Sequence, residues 1–346
     1  MQKGNPFGAH RVIEPPGVLP QPAHRLDNRM DVLYDNEIRV NVDTLNIDSA
    51  SFTQIKEQAE GNVEQIKAII LDTVRERGKQ HNPVTGSGGM FIGTVGAIGE
   101  ALRAQRDLKE GDQIVSLVSL SLTPLRIDEI LEVRPEVDQV RIRGQAILFE
   151  SGIYVKMPDD MEPSLALAVL DVCGAPAQTA RLVKPGDTVA IIGGSGKSGI
   201  LCAHVAKEQV GAAGRVIGIA GSERGLARLT VADICDDAVI LDATDGLACY
   251  DTIHAMTNGR LADVVVNCVN VPNTEMASIL ITREDGILYF FSMATSFTKA
   301  ALGAEGIGKD ITMIIGNGYA KNHAEIALDI LRRSSKIRTL YEELYV

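Results

Sequence analysis

At 346 residues, 45% of them hydrophobic, the chain is long enough to fill two cores, so two domains are expected. A net charge of −11 without a basic run disfavours nucleic acid and anionic membrane surfaces as partners. Five scattered cysteines without paired spacing suit reduced thiols and a cytoplasmic location; the first residues lack the apolar core of a signal peptide, and no apolar run reaches membrane-spanning length.

Residues 1–30 carry Pro15, Pro16, Gly17, Pro20 and Pro22 and read as an irregular arm on the surface of the first domain. Apolar and polar residues alternate over 37–45, the mark of a half-buried strand, and 46–51 follows as a polar turn. The spacing of Ile55, Val63, Ile66, Ile69, Ile70 and Val74 predicts a helix over 53–77. Glycines with apolar residues between them crowd 85–99, which suits strongly bent strands of a small barrel. A turn feeding a strand at 108–116 and short strands at 139–142 and 146–149 make the first half mostly β. The run 157–163, with a proline at 158 and another at 163, marks the crossing between domains, and Ser164 is placed to cap a helix carrying Leu165, Ala168, Val169 and Val172.

The second half is organised around 188–199. Thr188 to Ile192 read as a buried strand, Gly193 and Gly194 break it, and a helix follows from Gly199. Gly194, Gly196 and Gly199 fit G-x-G-x-x-G: the first glycine for a tight turn, the second for the approach of a pyrophosphate, the third for close helix packing. Ser195, Lys197 and Ser198 fill the same turn, and the helix start adds free N–H groups. A triphosphatase phosphate loop would need glycine at 191, where Ile191 stands. Further apolar strands at 215–220, 238–242, 263–268 and 286–292, mostly separated by helical stretches, imply a doubly wound parallel sheet. A last strand at 311–315 breaks at 316–319 and leads to an amphipathic helix over 322–333. An acid that holds the ribose hydroxyls of NAD is expected at the tip of the second strand, but Glu223 comes slightly late; it would repel a 2′-phosphate, while the flanking Ser222 and Arg224 could accept one. This tip is not built to exclude NADP.

These features resemble the medium-chain dehydrogenase/reductase superfamily, which joins a GroES-like β-barrel domain to a Rossmann domain. The run 37–51, the glycine-rich strands at 88–99, Gly111-Asp112 in its turn and Val183 to Val189 leading into the cofactor strand carry the resemblance over nearly the whole chain. It implies a GroES-like catalytic domain at 1–158, a Rossmann domain at 159–315 and a C-terminal return to the catalytic domain at 316–346. It also implies a homodimer paired through the apolar fifth strand, 287–291, and strand ends at Cys268, Val269, Ser292 and Met293 flanking the nicotinamide. Four longer strings, 10–15, 46–55, 81–91 and 291–306, are similar to one branch of the superfamily, which oxidatively deaminates a 3,5-diamino acid in anaerobic lysine fermentation. This family resemblance implies NAD as the main cofactor, with NADP usable.

Many members of the superfamily hold zinc through Cys, His and Cys. Matching places Asp48, Gly89 and Ala175 at those positions, with Cys173 two residues from the last, so zinc is not expected. Amine oxidation then falls to charged and hydrogen-bonding side chains. Asp48 is the first choice of general base, because the resemblance puts the turn after the first strand at the nicotinamide; Ser49 shares that turn. His81 could shuttle protons near neutral pH. The plain alternatives are a turn-stabilising aspartate and a solvated loop histidine. Arg126, Arg143 and Lys299 are possible partners for the substrate carboxylate. A zinc-free quinone or enone reductase is the competing enzyme reading, and a non-catalytic relative of lens-crystallin type the third.

Overall fold

The computed structural model describes residues 2–82, 86, 88–316 and 318–346, which form two units, Met1–Pro163 and Ser164–Val346. Most of 83–87, where the expected glycine-dense segment begins, lies outside the described residues, as does Asn317 of the expected break after the last strand.

In the first unit, β1 (Glu37–Asn46), β2 (Met90–Ile98), β3 (Gln113–Ser116), β4 (Leu125–Arg134), β5 (Gln139–Phe149) and β6 (Tyr154–Lys156) form an antiparallel sheet in the order β4-β5-β1-β2-β3-β6. The register of β1 shifts between Val42 and Thr44 against both neighbours, so the central strand bends there. Val40, Val42, Leu45, Phe91, Val95 and Val140 fill the inside of this bent sheet.

The helix expected over 53–77 is two helices, α1 (Ser49–Gln58) and α2 (Val63–Arg77). Gly61, at φ 74°, turns the chain between them, and the Asn62 side chain caps α2 by accepting the Gln65 N–H. Periodicity alone misses such a break because the apolar stripe resumes in phase. Ile66, Ile70 and Val74, one face of α2, are buried in the sheet core, each worth about 1.5–3 kcal/mol. Gly78 ends the helix at φ 68°, where a Cβ would lie 2.2 Å from the Leu26 carbonyl oxygen.

The N-terminal arm is anchored in the interior as well as lying on the surface. Arg11, fully buried, places two nitrogens on the Glu37 carboxylate at 2.8 and 2.6 Å and donates to the carbonyls of Arg29 and Val32. His10 approaches the same carboxylate at 2.8 Å. Burial works to raise the Glu37 carboxyl, but the hydrogen bonds from Arg11 and His10 outweigh it and hold the group below its ordinary range. Lys79, also buried, donates to the carbonyls of Pro20 and Gln21, and burial pushes its ammonium down to about 8.

The second unit holds a parallel sheet of β7 (Thr188–Ile192), β8 (Arg215–Ala220), β9 (Asp237–Ile240), β10 (Ala262–Asn267), β11 (Thr282–Phe290) and β12 (Thr312–Ile315). Their order is β9-β8-β7-β10-β11-β12, the doubly wound order whose reversal point lies between the first and fourth strands. The fifth strand, β11, therefore lies between β10 and β12 and offers no edge; the expected subunit pairing through 287–291 is corrected, because β12 covers it. Helices α3 (Gly174–Leu182), α4 (Lys197–Val210), α5 (Glu223–Ala232), α6 (Gly246–Met256), α7 (Glu275–Ile281) and α8 (Phe297–Ile307) accompany this sheet. The C-terminal helices α9 (His323–Arg333) and α10 (Ser335–Tyr345) fall in the same unit by their contacts. The apolar stripe of α9 (Ala327, Leu328, Ile330, Leu331) is buried, α9 packs on α3 and α4, and buried Tyr341 of α10 donates its hydroxyl to the Lys197 carbonyl.

Candidate active site

In the second unit the chain leaves β7 through Gly193, at φ 75°, and the N–H groups of Gly193 and Gly194 both donate to the Ile219 carbonyl at 3.0 Å. The left-handed turn thus falls on Gly193, one residue before the glycine the motif spacing selects. Gly199 performs the predicted packing role: a Cβ there would lie 2.1 Å from the Gly193 carbonyl oxygen. Gly196 is open on its outer side, where a Cβ would meet only the Gly193 oxygen, at 3.4 Å. Helix α4 starts at Lys197, two residues before the expected start, so the N–H groups of Lys197, Ser198 and Gly199 form its first turn with the positive end of the dipole. An open glycine cap beside an uncapped helix start fits a pyrophosphate, and the dinucleotide fits this turn on that ground.

The Lys197 side chain is engaged elsewhere. Its Nζ lies 3.1 Å from Asp171 and 5.3 Å from the centre of the Tyr345 ring, which leaves its backbone N–H as its contribution to the turn. Ser195 packs on α5, its hydroxyl 2.6 Å from where a Gly225 Cβ would stand. Ser222 caps α5, accepting the Gly225 N–H at 3.1 Å, while Glu223 and Arg224 project into solvent from the first turn of α5.

Cys268 and Val269 follow β10 beside this turn: the Cys268 N–H donates to the Ile192 carbonyl at 2.9 Å, and a Gly193 Cβ would meet Val269 at 3.0–3.1 Å. The Cys268 and Cys202 sulfurs are 3.9 Å apart. The Ser292 N–H donates to the Asn267 carbonyl at 3.2 Å, and Met293 is 72% exposed. Two buried polar residues at these strand ends escape a reading of motifs. The Asn267 side chain donates to Thr274 and Ser278 at 2.9 Å and accepts the Val269 N–H at 3.1 Å; buried Glu275 accepts the Ser296 N–H at 2.7 Å. An asparagine closing the run Val264-Val265-Val266 was the available signal, since buried amides need partners.

In the first unit Asp48 is the cap of α1, accepting the Ser51 N–H at 3.0 Å and the Ser51 hydroxyl; Asn82 donates to that hydroxyl at 3.0 Å. Asp48, Ser51 and Asn82 so form one chain of hydrogen bonds, with His81 next in sequence. Ser49 turns away, donating to Asp138 at 2.7 Å, and Lys56 approaches the same carboxylate at 3.6 Å. His81 is half-buried; burial first, then the charges of Lys79, Arg77 and His24, push it down to about 4. It is neutral at pH 7, which corrects the expectation of a group titrating near neutrality. Arg126 is engaged with Asp128 and Gln145, Arg143 with Glu129 and Lys299 with Asn273.

Of the positions matched to zinc ligands, Gly89 cannot carry a side chain. At φ 92° its Cβ would stand 2.0 Å from the Asn46 carbonyl oxygen and 2.8 Å from the Asp48 nitrogen. Ala175 is buried, and burial pushes the nearby Cys173 thiol up to about 12. Among the described residues no group of three His, Cys, Asp or Glu could hold a metal, and no helix is long and apolar enough to cross a membrane.

An antiparallel GroES-like β unit followed by a Rossmann sheet with its glycine turn at the reversal point is the architecture of a medium-chain dehydrogenase/reductase. The quinone oxidoreductase of Escherichia coli, solved in complex with NADPH, shares it with a TM-score of 0.51 at 15% identity, over 86% of this chain and 78% of that one. Residues 10–158 match the family described as L-erythro-3,5-diaminohexanoate dehydrogenase N-terminal domain. The L-erythro-3,5-diaminohexanoate dehydrogenase of Acetoanaerobium sticklandii is 58% identical over 344 residues, 99% of this chain and 100% of the relative. The enzyme of the same name from Fusobacterium nucleatum subsp. nucleatum is 57% identical over 349 residues, all of both chains. The chain belongs to the L-erythro-3,5-diaminohexanoate dehydrogenase family.

Proposed function

We propose that the protein oxidatively deaminates L-erythro-3,5-diaminohexanoate to 5-amino-3-oxohexanoate and ammonia with NAD, accepting NADP less well, as a step of lysine fermentation in the cytoplasm. The full-length identity of 58% to a dehydrogenase of that name carries this reading. The bound nicotinamide supplies the acceptor for the hydride leaving the substrate carbon. The chain's own residues do the rest. The open Gly196 cap and the first turn of α4 bind the pyrophosphate, and Glu223 holds the adenosine ribose. Asp48, its carboxylate oriented by Ser51, takes the proton that the substrate ammonium must lose before hydride can depart, and later serves the water that displaces ammonia. No step calls for zinc. The working form is a homodimer paired through β12, one of the two edge strands of the parallel sheet.

Incubation with the diamino acid and NAD, followed at the absorbance of NADH, tests the reading. Turnover supports it; oxidation of NADPH by a quinone without turnover of the diamino acid contradicts it.

A further inference from the structure

One cleft of the first unit has Ser51 and Asn82, already tied to Asp48, in its lining, and the rest of that lining has no role in the mechanism above. It lies between α1 and α2, encloses about 310 Å³, and is lined by Ile55, Ile69, Glu76, Arg77, Gln80 and His81, among others. Gln80 is 2% exposed, and its Oε1 has no hydrogen-bond partner among the described residues; the buried Nδ1 of His81 has none either. An unpaired buried acceptor costs about 1–3 kcal/mol, so Gln80 Oε1, joined by His81 Nδ1 in the tautomer protonated at Nε2, calls for a donor that the described residues do not supply. Ile55 and Ile69 give the cleft an apolar wall, and the carboxylate of Glu76 and the guanidinium of Arg77 bring both signs of charge to its lining. Acceptors without donors select against a bare anion; an apolar wall selects against a hydrated metal ion.

We propose that this cleft binds a primary aliphatic ammonium group of a zwitterionic amino acid, with Gln80 Oε1 and His81 Nδ1 accepting from the ammonium, Glu76 attracting it and Arg77 pairing the carboxylate. As the seat of one amino group of a diamino acid substrate, the cleft rests on the function proposed above. His81 then serves as an acceptor, which its neutral form allows. A chain of four to six carbons fits the volume, since the cleft is at the lower end of the size range of small-molecule pockets.

Butylammonium chloride, titrated into the full-length protein while the His81 ring resonances are followed by NMR, reads this site without turnover. Saturable shifts of the His81 signals are expected, with choline, which has no N–H to donate, giving none. Gln80→Leu should weaken butylammonium binding about tenfold or more and raise KM for the diamino acid by a similar factor, leaving cofactor affinity unchanged. If Gln80→Leu does not fold, Glu76→Gln, a change on the exposed face of α2, should still raise KM several-fold, and Gln80→Glu should tighten butylammonium binding. Shifts by butylammonium in a protein that fails to oxidise the diamino acid would overturn the proposed reaction and uphold the ammonium site. Normal turnover with no His81 shift and unchanged KM in both the Gln80→Leu and Glu76→Gln variants would overturn the ammonium site and leave the reaction standing.

Discussion

The Gly89 α-carbon packs so closely on the Asn46 carbonyl that a Cβ would stand 2.0 Å from that oxygen. Backbone meets backbone there, and the obstruction cannot be relieved by a rotamer change. Gly89→Ala, at φ 92°, should lose roughly 2–4 kcal/mol of stability from left-handed strain and the forced shift of the 46–48 turn, read as a lower thermal midpoint. Because the turn carries Asp48, kcat should fall as well.

The same contact bears on metal. A side chain that cannot exist cannot ligate, and a zinc site needs about three protein ligands. Extended treatment with a chelator should leave turnover intact, and elemental analysis should return well below about one zinc per chain. Stoichiometric zinc with chelator-sensitive activity would mean that the ligands lie elsewhere.

Gly196→Val tests the phosphate cradle. The backbone at this cap is extended, φ −86° and ψ 174°, and the nearest atom to an added Cβ is 3.4 Å away, so the fold should survive. The branched side chain would occupy the space above the first turn of α4. Cofactor affinity should drop by about a hundredfold or more, with far-ultraviolet circular dichroism unchanged, since several charge-assisted hydrogen bonds are lost together. Unaltered cofactor binding would place the pyrophosphate elsewhere.

Glu223 and Arg224 sit side by side in the exposed first turn of α5 with opposite consequences for a 2′-phosphate. Glu223→Ala should raise the NADP/NAD ratio of kcat/KM and Arg224→Ala should lower it, each by about tenfold. A ratio indifferent to both substitutions would show that neither side chain faces the ribose.

His81 links stability to acid. Its folded value of about 4 lies below the ordinary 6.5, so the folded chain binds fewer protons across that interval. The stability associated with the neutral ring is complete above pH 6.5 and is lost as the pH falls toward 4, on the order of 2 kcal/mol for a half-buried group. His81→Gln should flatten the unfolding free energy between those values in denaturant titrations. An unchanged slope would mean that the ring is solvated in the folded protein.

Local features of the fold were legible in the sequence and partnerships were not. The parallel strands of the second unit announced themselves because a strand buried on both faces is an unbroken apolar run. Gly199 was correctly assigned because its role depends only on its spacing from the strand. The turn glycine was missed by one position, since Gly193 and Gly194 are adjacent and spacing does not reveal which of them takes positive φ. Sequence places Lys197 in the glycine turn but does not show that its ammonium lies on Asp171, 26 residues away. Arg11 reads as part of a surface arm, and only Glu37, 26 residues on, shows it to be an interior ion pair. In the candidate site Asp48 was singled out from its turn. Ser51 and Asn82, which orient it, were invisible as a set, because two helices separate them in the chain.

The central claim is that the carbon–nitrogen bond of a diamino acid is oxidised and broken. The most direct test is to measure ammonia and NADH together during turnover of L-erythro-3,5-diaminohexanoate. The account predicts that both appear in equal amounts and that the ratio holds as the reaction proceeds. NADH formed without ammonia, or no NADH from the diamino acid at saturating NAD, would contradict it.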